Sequence, residues 1–463
     1  MWKTKQLEKW LLCKVCTFLL ASFLTAPLFA DDWPQWMGPQ RDGVWRETGI
    51  LESFPETGLL RQWHAKLGAG YAGPAVAGGR VIVMDRIRHP DDAEKIARLK
   101  RDFGPAPNYN YTRGITLGVE RVVALDVESG KVQWVHQYDC PYTTALMYGA
   151  GPRVTPTVDQ DRVYTLGSEG HLFCLQAKTG QVIWSREFQR DYKLEIPHWG
   201  VSAHPLVDGD RLICTVGGKG TTVVAFDKYT GREIWRALDA RWPGYSSPVI
   251  YQVGQTRQLV VWHGDAINGL NPETGATYWS IPIKTHWGMA IGIPRLFREQ
   301  LYVSGYPRQS ALLQLNAQRP QAEIVWQGDT RRGVACVMST PMIEGGYLYG
   351  AGPGGRFMCI RLSDGKPMWE SFAPSTGKRP ASWANVFIVK QADRYLLAND
   401  LGELVLARLS PDGFEQVSRT KIIAPTTPLG RRTVVWSHPA FAQRSVFARN
   451  DKELVRLSLA ANP

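Results

Sequence analysis

Five times along the chain a polar turn reaches a glycine, and a tryptophan follows four residues later. The phrases are ALDVESGKVQW ending at Trp134, LQAKTGQVIW at Trp184, AFDKYTGREIW at Trp235, GLNPETGATYW at Trp279 and CIRLSDGKPMW at Trp369. A phrase recurring at fixed internal spacing marks a structural unit built many times over, not one core built once. Each copy is preceded by a proline-led apolar stretch, a polar turn and a second apolar stretch, as in TPTVDQDRVYTLGSEGHLFCL from Thr155. Similar units start at Gly73-Pro74, His204-Pro205, Ser247-Pro248, Ile293-Pro294, Thr340-Pro341 and His438-Pro439, and one without proline starts at Asn385-Val386. These are eight starts, mostly 43 to 53 residues apart.

A period in the forties carrying several short strands specifies a β-propeller. Stacked helix pairs share the period but need apolar residues every 3.6 positions, and that spacing is absent. The 45 Gly, 30 Pro and 18 Trp fit a turn-rich all-β chain. Proline is tolerated at the first residue of a strand, where the missing amide does least harm. The glycine supplies the positive φ of a tight hairpin between third and fourth strands. The tryptophan ends the outer strand and can lie across the junction with the next unit, a burial worth roughly 3–5 kcal/mol against alanine.

The last unit, from His438, supplies only three strands, AFA, SVFARN and LVRLSLA, while Leu59-Leu60-Arg61-Gln62-Trp63 reads as an orphan fourth strand with its tryptophan. Joining them would close the ring and leave no sheet edge uncovered. The expected fold is therefore all-β: an eight-bladed propeller of four-stranded antiparallel blades over residues 59–463, closed by the N-terminal strand.

Two segments interrupt the pattern. Residues 31–58 precede the ring and are expected to pack on it. Residues 86–120 are inserted in the first blade, where Asp91 and Glu94 are spaced as the capping box of a short surface helix. Residues 1–30 differ again: Lys3, Lys5 and Lys9, an apolar run from Leu11 to Leu24, and a small-residue exit at Ala30 read as a signal peptide. The protein is accordingly expected in the periplasm or outside the cell, with no transmembrane segment after processing. Cys13 and Cys16 lie in the segment to be removed and sit in no lipobox; the other five cysteines are scattered and form no disulfide framework. Processing removes four Lys and one Glu, taking the net charge from +12 to +9. Such a surface suits anionic surroundings, but the basic residues are too dispersed for a nucleic-acid groove, and a monomer is expected.

The turn-and-tryptophan phrases at Leu125–Trp134 and Phe226–Trp235 resemble the tryptophan-docking motif of the PQQ-like β-propeller repeat family, and the resemblance runs from residue 59 to 460. The phrase WPQWMGPQRDG at Trp33–Gly43 is similar to the opening of many secreted bacterial members of unassigned activity. The resemblance implies two functions. Quinoprotein dehydrogenases of the family hold pyrroloquinoline quinone and calcium in the funnel; the propeller lipoprotein of the outer-membrane β-barrel assembly machine binds no cofactor. The first implies adjacent cysteines under the quinone and Glu, Asn and Asp around calcium. The chain has no Cys-Cys pair and no Cys-x-x-Cys-His haem signature, and only Asn385 and Asp400 stand out as isolated oxygen donors. The second implies a lipid-anchoring cysteine, which is not visible.

Other motifs dissolve on inspection. Gly68-Ala-Gly70-Tyr-Ala-Gly73 matches a dinucleotide fingerprint in letters, but Pro74 and a strand follow where a helix is required. The residues before each innermost strand are more informative, because in a propeller they meet at the channel mouth. They bring Arg153, His198, Trp199, His204, Tyr245, His286, Trp287, Trp383, Trp436 and His438 to one place from distant parts of the chain. So many rings at one repeat position point to a binding site, with the tryptophans as stacking faces and Arg153, His204 and His438 as polar contacts. No catalytic residue and no metal ligand is assigned. The sequence reads as an exported binding or scaffold propeller engaging an envelope protein or a small cyclic or anionic ligand, without a cofactor. The alternative is a quinone-dependent alcohol or sugar dehydrogenase using pyrroloquinoline quinone and calcium.

Overall fold

The computed structural model describes residues 31–103, 115–142, 151–307, 309–329, 331–336 and 338–461. Residues 1–30, the expected signal peptide, lie outside them.

Eight antiparallel sheets follow one another around a ring. The first blade comprises Ala75–Ala77, Arg80–Arg88, Gly118–Asp126 and Val132–Asp139, running from the channel outwards in chain order. The innermost strands of the next six begin at Thr157, Leu206, Val249, Arg295, Met342 and Val386. The eighth blade takes Ala440–Ala442, Ser445–Arg449 and Glu453–Ser458 from the C-terminal end, and its outer strand is Arg61–Lys66. That strand pairs antiparallel with Glu453–Ser458, with Trp63 opposite Arg456. The N-terminal strand thus closes the ring as the orphan phrase requires.

The docking geometry explains the Gly…Trp spacing more fully than the turn alone. The Trp134 indole N–H donates to the Ala177 carbonyl of the second blade at 3.0 Å, and Trp184 donates to Lys228 in the third at 3.1 Å. Trp63, Trp235, Trp326 and Trp369 repeat the bond to Val127, Pro272, Leu362 and Ser410. In every case the acceptor lies three residues before the glycine of the following blade's turn. In all of these but Gly413, that glycine then lies against the indole: a Cβ on Gly180 would fall 2.5 Å from the Trp134 ring, and one on Gly231 2.6 Å from Trp184. One blade's glycine is therefore dictated by its neighbour's tryptophan as well as by its own φ. Trp279 departs from the pattern, donating to the Gln258 side chain of its own blade at 2.7 Å.

The segment before the ring does more than pack on it. Residues 33–45 lie across the channel. Trp33 exchanges backbone hydrogen bonds with Val76 of the first blade, and Pro34 accepts from Val158 of the second. The buried Arg41 guanidinium donates to the carbonyls of Pro205 (2.8 Å) and Pro248 (3.4 Å), at the inner edges of the third and fourth blades. Arg295 of the fifth donates to the Asp42 carbonyl, and Val44–Trp45 pairs in parallel with Val386–Gln391 of the seventh. Trp33 and Trp45 both meet Phe441 of the eighth. The channel is closed at this level.

In the first-blade insertion a helix spans Ala93–Phe103. Its cap is Asp92, whose carboxylate accepts from the amides of Glu94 (3.0 Å) and Lys95 (2.9 Å). This corrects the Asp91 capping box by one residue; Asp91 instead pairs with Arg88. Cys140, Cys174, Cys214, Cys336 and Cys359 are all buried free thiols. Among the described residues no helix is long and apolar enough to cross a membrane.

Candidate functional site

The residues that precede the innermost strands converge above the closed level, one group from each blade. They enclose a chamber of about 180 Å³. Of the ten residues singled out from sequence, Arg153, Trp199, His204, Tyr245, Trp383, Trp436 and His438 line it. The other three stand at the rim. His198 stacks on Trp242 with centroids 5.2 Å apart, and Trp287 is 42% exposed with His286 beside it at 4.2 Å.

The repeat register could not supply every wall. Trp36 forms the floor and stacks on His204 at 4.5 Å with the rings 6° from parallel. It comes from the segment across the channel, outside any repeat, although the tryptophan-rich opening phrase was a usable signal. Tyr71, Ser247, Met289, Met338 and Phe387 also line the chamber. Tyr71, Ser247, Met289 and Met338 precede the innermost strands of their blades, and Phe387 is the second residue of the strand Val386–Gln391.

The deep histidines are held neutral. Burial pushes His438 down to about 3, and its Nε2 lies 2.8 Å from the Thr155 hydroxyl. Burial also holds His204 well below the usual imidazole range, with His438 and Arg41 adding to the effect. Ser247 Oγ accepts the His204 backbone N–H at 2.8 Å and lies 3.1 Å from Nδ1. Ser247 can donate to Nδ1 or accept from it, and the other ring nitrogen is Nε2. That nitrogen is buried and has no partner. The buried Tyr245 hydroxyl likewise finds no acceptor; the Trp199 backbone amide is the neighbouring group that bears on it. Arg153 places its guanidinium 4.7 Å from the Tyr71 ring centroid, and burial lowers its pKa.

This donor set does not fit a calcium-bound quinone. A hard cation needs several oxygen ligands, usually carboxylates and amide carbonyls. Among the described residues no Asp, Glu, Asn or Gln lines the chamber, and no group of three metal-ligating side chains occurs. Asp400 and Asn385 are buried outside the lining, and Asp400 is paired with Arg432 at 2.8 Å. Arg432 also donates to the Ser382 carbonyl at 2.6 Å, so the pair fastens the loop carrying Trp383. The glycines of the fingerprint-like Gly68–Gly73 stretch serve close packing: a Cβ on Gly73 would lie 2.6 Å from His438.

The sequence model of the family described as outer membrane protein assembly factor BamB matches residues 118–400. The outer membrane protein assembly factor of Bordetella pertussis is 27% identical over 282 residues, covering 58% of this chain and 64% of that protein. The chain thus spans less than two thirds of the length of the curated relatives it matches. Among solved structures, BamB from Moraxella catarrhalis superposes with a TM-score of 0.53 at 15% identity, covering 86% of this chain and 97% of that one. Quinohemoprotein alcohol dehydrogenase from Comamonas testosteroni superposes with a TM-score of 0.57 at 12% identity, over 93% and 81%. Both are likenesses of fold.

Proposed function

Because the chain belongs to the PQQ-like β-propeller family, we propose that it is an exported binding scaffold of the periplasm or cell surface, engaged in assembling envelope proteins as the Bordetella relative's name describes. The observation that supports this most is the chemistry of the chamber. It offers ring faces, neutral imidazoles, hydroxyls and a guanidinium, and no carboxylate. A general base works best with a pKa near the operating pH, and the two deep histidines are far too weakly basic. Such a site binds. The ring around it offers a broad rigid surface for a protein partner.

The test is a titration of the purified propeller against the purified periplasmic domains of the outer-membrane assembly machine of the same organism. Saturable binding is expected. A folded chain that binds none of these domains would remove the assembly role.

The second reading, a quinone-dependent alcohol or sugar dehydrogenase, is favoured by the likeness to the Comamonas enzyme. Its tryptophan faces could receive a quinone, but the lining lacks calcium's oxygen donors. Incubation with pyrroloquinoline quinone and calcium should give no dye reduction with primary alcohols or aldoses. Substrate-dependent reduction would replace the scaffold reading.

A further inference from the structure

We propose that the chamber binds a small aromatic carboxylate: one planar ring bearing one anionic group. The proposal deepens the reading of this site as one that binds without catalysing.

Size comes first. A chamber of about 180 Å³ is close to the roughly 150 Å³ engineered cavity that takes benzene. It admits a single ring with a small substituent.

The walls then select for a flat, apolar body. Trp36, Trp199, Trp383 and Trp436 present ring surfaces, and Met289 and Met338 add polarizable thioethers that adapt to an aromatic edge. An inorganic anion would leave these surfaces unused.

The polar groups decide the substituent. The Tyr245 hydroxyl is a buried donor without an acceptor and His204 Nε2 is buried without a partner, on residues 6% and 7% exposed. Native proteins rarely leave such groups unsatisfied, and each exception calls for an explanation. The lining also carries the Arg153 guanidinium, and no described lining residue carries a negative charge. The acceptor must therefore arrive with the ligand, and the field of the buried cation favours an anion. An amine would meet donors and a positive charge and is excluded.

The experiment is a calorimetric titration of the full chain with benzoate, with benzyl alcohol and acetate as comparators. Benzoate should bind saturably, and each comparator at least roughly tenfold more weakly, because one lacks the charge and the other the ring. Tyr245→Phe keeps the ring and removes the donor; it should weaken benzoate by roughly tenfold to a hundredfold with the fold intact. Met338→Trp fills the chamber, should abolish binding, and provides the decision if Tyr245→Phe fails to fold. The inference is overturned if benzoate does not saturate, if benzyl alcohol binds as tightly, or if both variants bind benzoate like the parent chain. Dye reduction with the quinone and calcium would instead overturn the non-catalytic reading, whatever benzoate does.

Discussion

Gly180→Ala separates two reasons for the recurring glycine. Its φ of +73° is left-handed, which costs an L-residue about 1–2 kcal/mol. Gly209 has φ +57° and nothing within 4 Å of an added Cβ, so Gly209→Ala measures that cost alone. At Gly180 the new methyl would sit 2.5 Å from the Trp134 ring, against an ordinary contact of about 3.5–4.0 Å. The indole must retreat by about 1 Å, yet it is 8% exposed and tied to Ala177 by a 3.0 Å hydrogen bond. Overpacking costs about 1–3 kcal/mol and the weakened bond about 1 kcal/mol more. Gly180→Ala should therefore lose about 2–4 kcal/mol beyond Gly209→Ala, read from urea midpoints at unchanged m-value. In the Trp134→Ala background the excess should vanish, because the clashing ring is gone. Equal losses at the two glycines, or an excess that survives without Trp134, would show that the turn alone selects glycine.

Three further expectations follow from the ring and its floor. Trp63→Ala should destabilise as much as Trp184→Ala, about 3–5 kcal/mol in urea unfolding, since both rings are buried and bonded to the next blade; a silent Trp63→Ala would mean that the closing strand is dispensable. Arg41→Ala strips donors from the Pro205 and Pro248 carbonyls and should cost about 2–4 kcal/mol while hastening proteolysis within residues 33–45; unchanged cleavage there would refute the clamp. His438 titrates near 6.5 when unfolded but near 3 when folded, so its contribution is complete above pH 6.5 and is lost as pH falls towards 3. Between pH 6.5 and 4.5 the parent chain should lose about 2–3 kcal/mol more than His438→Gln, and parallel stability curves would contradict the buried neutral imidazole.

The ring was legible because its repeat is written in residues with one physical job. Gly130, Gly180 and Gly231 each answer to a tryptophan one blade away, so the spacing survives while strand residues drift. Closure was legible for the same reason: Trp63 carries the docking residue outside any complete unit, and an unpaired strand needs a partner. The chamber was half legible. Residues in repeat register, such as His204, Tyr245 and His438, could be placed by counting from the proline that opens each strand. Trp36 could not, because nothing in the repeat says where a preceding segment will run. Rim and lining were also inseparable by register: Trp199 and Trp287 occupy equivalent phrases, yet only Trp199 lines the chamber. That difference depends on loop path, including the left-handed φ of +52° at Trp287.

The mouth end of the ring carries costs of its own. Trp287 and Trp383 hold φ of +52° and +60°, a conformation that is an outlier for bulky side chains. Behind them lie the partnerless His204 Nε2 and the Tyr245 hydroxyl without an acceptor, each worth about 1–3 kcal/mol of lost solvation. A channel that needed only filling could meet its volume with aliphatic side chains, at none of these costs. Strained and unsatisfied groups at the mouth persist where the surroundings over-determine them and a ligand repays them. This reasoning fixes the sign of a stability change. Tyr245→Phe removes a hydroxyl that finds no acceptor and has the Trp199 amide as its polar neighbour, so the ligand-free variant should be more stable than the parent by about 0.5–2 kcal/mol, while saturating benzoate should narrow or reverse that order. Urea unfolding with and without benzoate reads both quantities. A Tyr245→Phe chain less stable than the parent in the absence of ligand would mean that the hydroxyl already has a structural partner, and the chamber would then be packing.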